Sequence, residues 1–289
     1  MRFHIVLIRP LGHRHAEAFR EMIELVRDGL AALGYRVTTA ENRWDANAVN
    51  IFFGAHHLAN ARFPEDRLPP RGIIYNLEPL RSGTFWDRPN VVSWFAHYPV
   101  WDYSHANATY RTRHQWPGHW YTLPVGYMPS WTRIRRSDPP DRDALFYGSL
   151  SLRRRGVLEA VQHQGMLVQT LFGVYGAERD AWIARSRLVL NLHQTEAAPF
   201  EVVRVAYLLA NHCAVVAEGD PHKEVDAMPW AQGIAWTTYS DFASTCQQWL
   251  MDAPARERLA DQGFNLIAQR SEAQYLQQVL DQMAADRVL

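Results

Sequence analysis

The chain predicts an α/β protein of two tandem Rossmann-like domains facing a cleft, and three observations predict it. Short apolar runs of the buried-strand kind alternate with stretches whose apolar positions recur at three and four, as in parallel strands joined by helices. Hairpin signals between the runs are few, which favours crossover connections over meanders. At 289 residues the chain suits about two domains of roughly 150 residues, and a polar, proline-bearing stretch at 129–143 interrupts the pattern before it restarts.

Each element has its own signal. Residues 3–8 form an apolar run ended by Arg9-Pro10-Leu11-Gly12 and predict the first strand. Phe19, Met22, Ile23, Val26, Leu30 and Leu33 share one helical face over 15–33, and Gly34 stops that helix. Residues 35–40, 49–53 and 72–78 read as strands, 91–95 as a fifth, and a polar helix begins near Ser104. After the 129–143 linker the strands are 144–147, 166–172, 188–192, 214–217 and 234–237. Helices are expected at 151–164, 177–185 and 200–211, and two more close the chain at 240–251 and 254–284. The domain expectation is therefore 1–135 and 143–270, with 271–289 as a C-terminal helix packing back on the first domain. Ligands in such sheets bind at the carboxyl ends of the strands.

Composition excludes several function classes. Thirty basic and thirty acidic side chains leave no net charge, so no global attraction to nucleic acid or an anionic membrane is expected. Of the basic residues 29 are arginine and one is Lys223, a bias most simply read as that of a GC-rich genome. Gly-Lys-Ser/Thr is absent, which removes the common phosphate loop, and Schiff-base chemistry has only Lys223 in the polar segment Asp220-Pro-His-Lys-Glu-Val. Cys213 and Cys246 lie in an apolar run and a helical pattern and read as buried thiols. The N-terminal run is too short for a signal peptide, and no apolar stretch reaches about 18 residues, so a cytoplasmic location is expected. Aromatics make up 12% with 11 tryptophans, more than cores need, which points to a cleft or partner surface.

The most informative segment is Leu188-Val-Leu-Asn-Leu-His-Gln-Thr-Glu-Ala-Ala-Pro-Phe-Glu-Val-Val-Arg, continuing to Glu218. A buried strand delivers a polar tip, a loop follows, and a helix opens with Glu201 in its first turn and Arg204 on the same face. A helix N-terminus offers N–H groups and positive dipole to a diphosphate, while the adjacent carboxylate can accept from two ribose hydroxyls. The alternative is an intrahelical Glu201–Arg204 ion pair.

This strand-loop-Glu-helix-strand unit resembles the nucleotide-sugar-binding half of glycosyltransferases of the GT-B fold. Leu145-Phe-Tyr-Gly-Ser-Leu-Ser-Leu-Arg-Arg-Arg resembles the first strand of that half, where a Gly-Ser turn passes the diphosphate and a nearby basic residue neutralises it. The resemblance implies Gly148 and Ser149 at that turn, with Arg153, Arg154 or Arg155 on the charge. Many retaining members carry two glutamates eight positions apart; the corresponding positions here are Pro199 and Tyr207. What remains, with Ile74-Tyr-Asn-Leu-Glu-Pro and Val100-Trp-Asp-Tyr-Ser-His-Ala-Asn, is similar to a bacterial, polysaccharide-associated, family 1/4-like branch.

The implied function is transfer of a sugar from a nucleoside diphosphate sugar to a saccharide or lipid-linked saccharide, with the first domain on the acceptor and the second on the donor. No cofactor is implied, since the nucleotide sugar is substrate. No nucleic-acid partner is expected, and peripheral membrane contact would accompany a lipid-linked acceptor. Glu78 and Asp102 follow strands and are the candidate general bases, although each can instead cap a helix or pair with an arginine. Trp101 and Tyr103 suit stacking on a sugar, and His56, His57 and His193 follow strands, where they can meet the acceptor or, for His193, the donor. Thirteen histidines invite a metal reading, but no His-x3-His sits beside a carboxylate in a convincing helix and no cysteine pair stands at ligand spacing, so no metal is expected. The rival classes are a non-catalytic nucleotide- or glycan-binding protein and a sugar-nucleotide epimerase.

Overall fold

A computed structural model describes residues 1–58, 68–80, 89–137, 139–195 and 199–289. The chain divides into two compact units, one of Met1–Met128 with Ser271–Leu289 and one of Pro129–Arg270.

The first unit is built on a parallel six-stranded sheet. Its strands are β1 (Arg2–Leu7), β2 (Arg36–Glu41), β3 (Val49–Phe53), β4 (Gly72–Asn76), β5 (Val100–Asp102) and β6 (Trp120–Thr122), in the spatial order β2-β1-β3-β4-β5-β6. Every residue of β3 and β4 is buried, the condition that leaves parallel strands as continuous apolar runs. The predicted helix at 15–33 opens as a 3-10 turn, Arg14–Phe19, and continues as α1 (Arg20–Ala32), which buries Met22, Leu25, Val26 and Leu30. Residues 91–95 are not a strand: helix α2 (Pro89–Trp94) occupies this place, because Val91 and Phe95 are one helical turn apart and both enter the core. Helix α3 (His105–Arg113) is capped by Ser104, whose hydroxyl accepts from Asn107 N at 3.2 Å.

The second unit carries a parallel five-stranded sheet, β7 (Arg142–Tyr147), β8 (Val168–Leu171), β9 (Ser186–Asn191), β10 (Val215–Glu218) and β11 (Ala235–Thr237), in the order β11-β10-β9-β7-β8. Around it lie α4 (Leu152–His163), α5 (Gly176–Ala184), α6 (Val202–Leu209), α7 (Phe242–Met251) and α8 (Ala253–Ala268). Phe146, Leu188, Leu190, Val216, Phe242 and Cys246 meet in its core. Cys213 and Cys246 are buried free thiols, and burial pushes them up to about 11 and about 12.

The stretch predicted as a linker belongs to the second unit. Thr132 Oγ1 donates to Ala210 O at 2.8 Å, and the Arg133 and Ile134 amides donate to Asn211 Oδ1 at 2.8 and 2.9 Å. Arg133 Nε reaches the Tyr207 hydroxyl at 2.8 Å, and Trp131 is fully buried against the same ring. The unit boundary consequently falls at 128/129, earlier than the predicted end at 135.

The closing helix predicted over 254–284 is two helices. Helix α8 ends at Ala268, and Ser271 opens α9 (Glu272–Ala285), its hydroxyl accepting from Gln274 N at 3.4 Å. Ser271-x-x-Gln274 is a capping-box sequence, a start signal that apolar periodicity passes over. Helix α9 packs on α1 in the first unit, where Gly29 permits the approach: a Cβ there would lie 2.6 Å from Leu276 Cδ1. Among the described residues no helix is long and apolar enough to cross a membrane.

Candidate functional site

In both sheets the polar side chains gather where the strands end. In the second unit β7 runs into Gly148, whose φ of +139° is a conformation side-chain-bearing residues rarely adopt. A Cβ there would lie 3.2 Å from an Arg204 guanidinium nitrogen, so the turn and Arg204 are closely apposed. Beyond the turn, Ser151 caps α4 and accepts from Arg154 N.

The three arginines expected near the diphosphate have different fates. Arg154 is buried, donating to Leu192 O at 2.8 Å, to Ser149 O at 3.1 Å and to the Glu201 carboxylate. Burial pulls its guanidinium below its ordinary value, against the favourable charge of Glu201. Arg153 forms a two-pronged pair with Glu218 and stacks over Tyr239 at 4.1 Å. Burial alone would raise Glu218, but the Arg153 hydrogen bond and charge outweigh it and hold the carboxyl below its usual range. Arg155 is exposed. Arg153 and Arg154 are thus already neutralised by carboxylates.

Arg204 is different. Its Nη1 donates to Asn191 Oδ1 at 3.2 Å, its guanidinium lies 5.0 Å from the Tyr147 ring centre, and its nearest ion-pair contact is Glu201 Oε1 at 3.9 Å, beyond hydrogen-bond range. Glu201 caps the start of α6 without bonding its helix through its side chain. One of its oxygens accepts from Arg154 and the other from Asn191 Nδ2 at 3.1 Å, each with a lone pair to spare. Arg153 and Arg154 pair with Glu218 and Glu201, whereas Arg204, beside the Gly148 turn, has no carboxylate at hydrogen-bond distance. His193 is buried, with Nδ1 3.8 Å from Glu201 Oε2 and Nε2 3.9 Å from Glu224 Oε1. Its amide donates to Glu218 Oε2 at 3.1 Å, and burial, with Glu201 and Asp226 adding to it, raises Glu224. Residues 196–198 of the loop before α6 lie outside the described residues.

In the first unit Glu78 and His56 share a pocket, and the His57 ring lies 4.0 Å from that of His56. The pocket is small and opens at the ends of β3 and β4, lined by Phe19, Ala55, His56, Ile74, Glu78 and Phe95 among others. Burial raises Glu78 to about 7. Burial, reinforced by His57 and His13, lowers His56 to about 3, and burial with His13 lowers His57, so both imidazoles are neutral at neutral pH.

The other first-unit candidates are interior. Asp102 is buried and accepts from Asn76 Nδ2 at 2.7 Å, from Ser104 N at 2.9 Å and from Asn107 Nδ2 at 3.1 Å. Trp101, expected on a sugar face, has no exposed surface: its indole meets Met283 Sδ at 3.1 Å and its ring edge packs on Tyr75. Tyr103 is buried as well, so packing takes the surface that stacking on a ligand would need. Among the described residues no group of three or more His, Cys, Asp or Glu side chains is placed to hold a metal ion.

Asn191 and Asn107 are site residues that the sequence reading passed over. Each is a buried amide beside a carboxylate, Glu201 for Asn191 and Asp102 for Asn107, and an asparagine closing an apolar strand, as in Leu188-Val-Leu-Asn, is the signal that marks the first.

No protein-family model matches the sequence, and no curated protein does. Solved structures do match. Anabaena HepE in complex with UDP and glucose superposes with a TM-score of 0.64 at 14% identity, over 98% of this chain and 99% of that one. A glycosyltransferase from Rickettsia africae gives 0.58 at 8% identity, over 97% of each chain. TarM gives 0.56 at 11% identity, over 82% of this chain and 55% of that one. These likenesses show a GT-B fold.

Proposed function

We propose that this GT-B-fold chain is a glycosyltransferase that moves a sugar from a nucleoside diphosphate sugar to a saccharide or lipid-linked saccharide. The observation that carries the reading is the Arg204 guanidinium beside the Gly148 turn, with no carboxylate at hydrogen-bond distance. When the bond from the anomeric carbon to the diphosphate breaks, the electron pair goes to the leaving oxygen. A bidentate cation with fixed charge, set beside backbone that can approach closely, stabilises that developing charge. Arg154 and Asn191 orient the Glu201 carboxylate, so that its spare lone pairs can accept from ribose hydroxyls. HepE, crystallised with UDP and glucose, supports a uridine diphosphate sugar as the first donor to try.

Glu78 serves as general base, taking the proton of the acceptor hydroxyl as its oxygen forms the new bond to the anomeric carbon. A carboxyl raised to about 7 is close to half ionised at neutral pH, the condition under which a base combines availability with driving force. Neutral His56 and His57 would hydrogen-bond acceptor hydroxyls. The reaction needs no metal in this reading, and a lipid-linked acceptor would bring the protein to the cytoplasmic membrane face.

Isothermal titration with UDP, GDP and ADP tests the reading. One of them binds the wild type, and Arg204→Ala weakens it about 10- to 100-fold, the worth of a charge-assisted phosphate contact. Absence of binding by all three overturns the proposal. With the matching nucleotide sugar, Glu78→Gln abolishes transfer while nucleotide affinity is retained; binding without any turnover by the wild type would leave a sugar-nucleotide-binding protein.

A further inference from the structure

We infer that Asp102, Asn76 and Asn107 are positioning residues which clamp the backbone at Glu78 to Leu80 and so hold the Glu78 carboxyl in its pocket. The inference rests on the reading of Glu78 as base, and it replaces the reading of Asp102 as an alternative base.

The clamp is made of three buried side chains converging on one loop. Asn76 Nδ2 donates to Glu78 O at 3.0 Å and to Asp102 Oδ2 at 2.7 Å, while its Oδ1 accepts from Glu78 N at 3.3 Å. Asn107 Nδ2 donates to the same Glu78 O at 2.9 Å and to Asp102, and its Oδ1 accepts from Leu80 N at 2.9 Å. Asp102 ties both amides together and anchors α3 through Ser104 N. The backbone of Glu78 is thereby held on both its N–H and its C=O. Its side chain is left out of the network: among the described residues no hydrogen bond reaches the Glu78 carboxyl.

This division of labour has a physical reason. A cation or a donor on the carboxyl itself would lower its proton affinity and disarm it as a base at neutral pH. Holding the backbone with neutral amides fixes the position of the carboxyl without touching its charge, and one buried carboxylate orients both amides. Among the described residues, the titratable groups that line the pocket with Glu78 are His56, from the turn after β3, and Tyr75 of β4, while Asp102 meets the loop through Asn76 and Asn107. Reacting groups must be held to within a fraction of an ångström, and a loop freed from Asn107 would lose that alignment.

The test reads Glu78 directly. In the full chain labelled with [13C]glutamate, the carboxyl signal that disappears in Glu78→Gln is titrated by NMR, alongside pH profiles of transfer. Asn107→Ala and Asp102→Ala are expected to lower the Glu78 midpoint by about one unit as water enters. They lower kcat about 10-fold or more with the KM for the nucleotide sugar unchanged, and shift the acidic limb of the rate profile by the same amount. Asp102→Asn retains acceptor geometry toward Ser104 and one amide, and keeps kcat within about 10-fold of wild type, against the at least ~100-fold loss of a missing base. Asp102→Asn as inactive as Asp102→Ala, or Asn107→Ala that moves neither midpoint nor kcat, overturns the inference. Should Asp102→Ala fail to fold, Asn107→Ala and Asp102→Asn decide it. If Glu78→Gln retains transfer, the base assignment falls, while the NMR midpoints still decide whether the clamp governs Glu78.

Discussion

Four carboxyls, two in each unit, are built on opposite electrostatic plans. In the second unit Glu201 and Glu218 each meet an arginine, and Arg153 holds Glu218 below the usual carboxylate range despite its burial. In the first unit Glu78 and Glu272 meet no cation among the described residues, and burial raises them to about 7 and about 8. The difference teaches what each setting is for. A paired carboxylate stays charged and can accept hydrogen bonds from a ligand, whereas one held through neutral amides keeps a proton within reach of neutral pH.

The largest expected effect comes from breaking the deeper pair. Arg154→Met leaves Glu201 partly buried without its cation and orphans Leu192 O, and is expected to cost about 3–5 kcal/mol in urea unfolding. Adding Glu201→Gln to that variant should recover part of the loss. A cost below about 1 kcal/mol would show that charge pairing does not hold this site together.

The first unit supplies the converse test, through pH. Glu272 is fully buried at the start of α9 and accepts from Gly126 N at 2.8 Å, with burial raising its carboxyl to about 8. A carboxyl raised above its unfolded value binds its proton more tightly in the folded state. Its stabilising contribution is fully present below about 4.5 and is lost as pH rises through the folded values, about 7 for Glu78 and about 8 for Glu272. The wild type should therefore lose on the order of a few kcal/mol between pH 5 and pH 9, and Glu272→Gln should remove most of that slope in thermal unfolding, with Glu78→Gln removing less. A slope unaltered in both variants would mean that these carboxyls are charged in the folded protein.

The smallest effect sharpens the comparison within the second unit. Arg153 is more exposed than Arg154, 22% against 3% of its side chain, so water can partly replace it at Glu218. Arg153→Met is expected to cost about 1–2 kcal/mol in the same urea measurement. Equal costs for the two arginines would show that depth does not set the strength of these pairs.

Much of the fold was legible because parallel strands buried on both faces leave apolar runs such as Val49-Asn-Ile-Phe-Phe and Leu188-Val-Leu, and α1 and α4 carry clear start or stop residues. Residues 91–95 misled because Val-Val-Ser-Trp-Phe, apolar but for Ser93, satisfies strand and helix alike until the core selects the i, i+4 pair of Val91 and Phe95. Residues 129–143 look like a linker because they satisfy their polar groups on distant partners, Asn211 and Ser186, which no local pattern reveals.

The sequence by itself determined the parallel α/β pattern of both units, with Glu78 and His193 at the ends of apolar runs and Glu201 at a helix start, since burial and backbone period are written locally; the last two strands of the first sheet it did not mark. Tertiary structure alone decided which partners each of them meets. Arg154 meets Glu201 across 47 positions of chain, and Asn107 reaches the Glu78 carbonyl across 29. The proton affinity of a carboxyl depends on the groups and water within a few ångströms, and those are chosen by the fold.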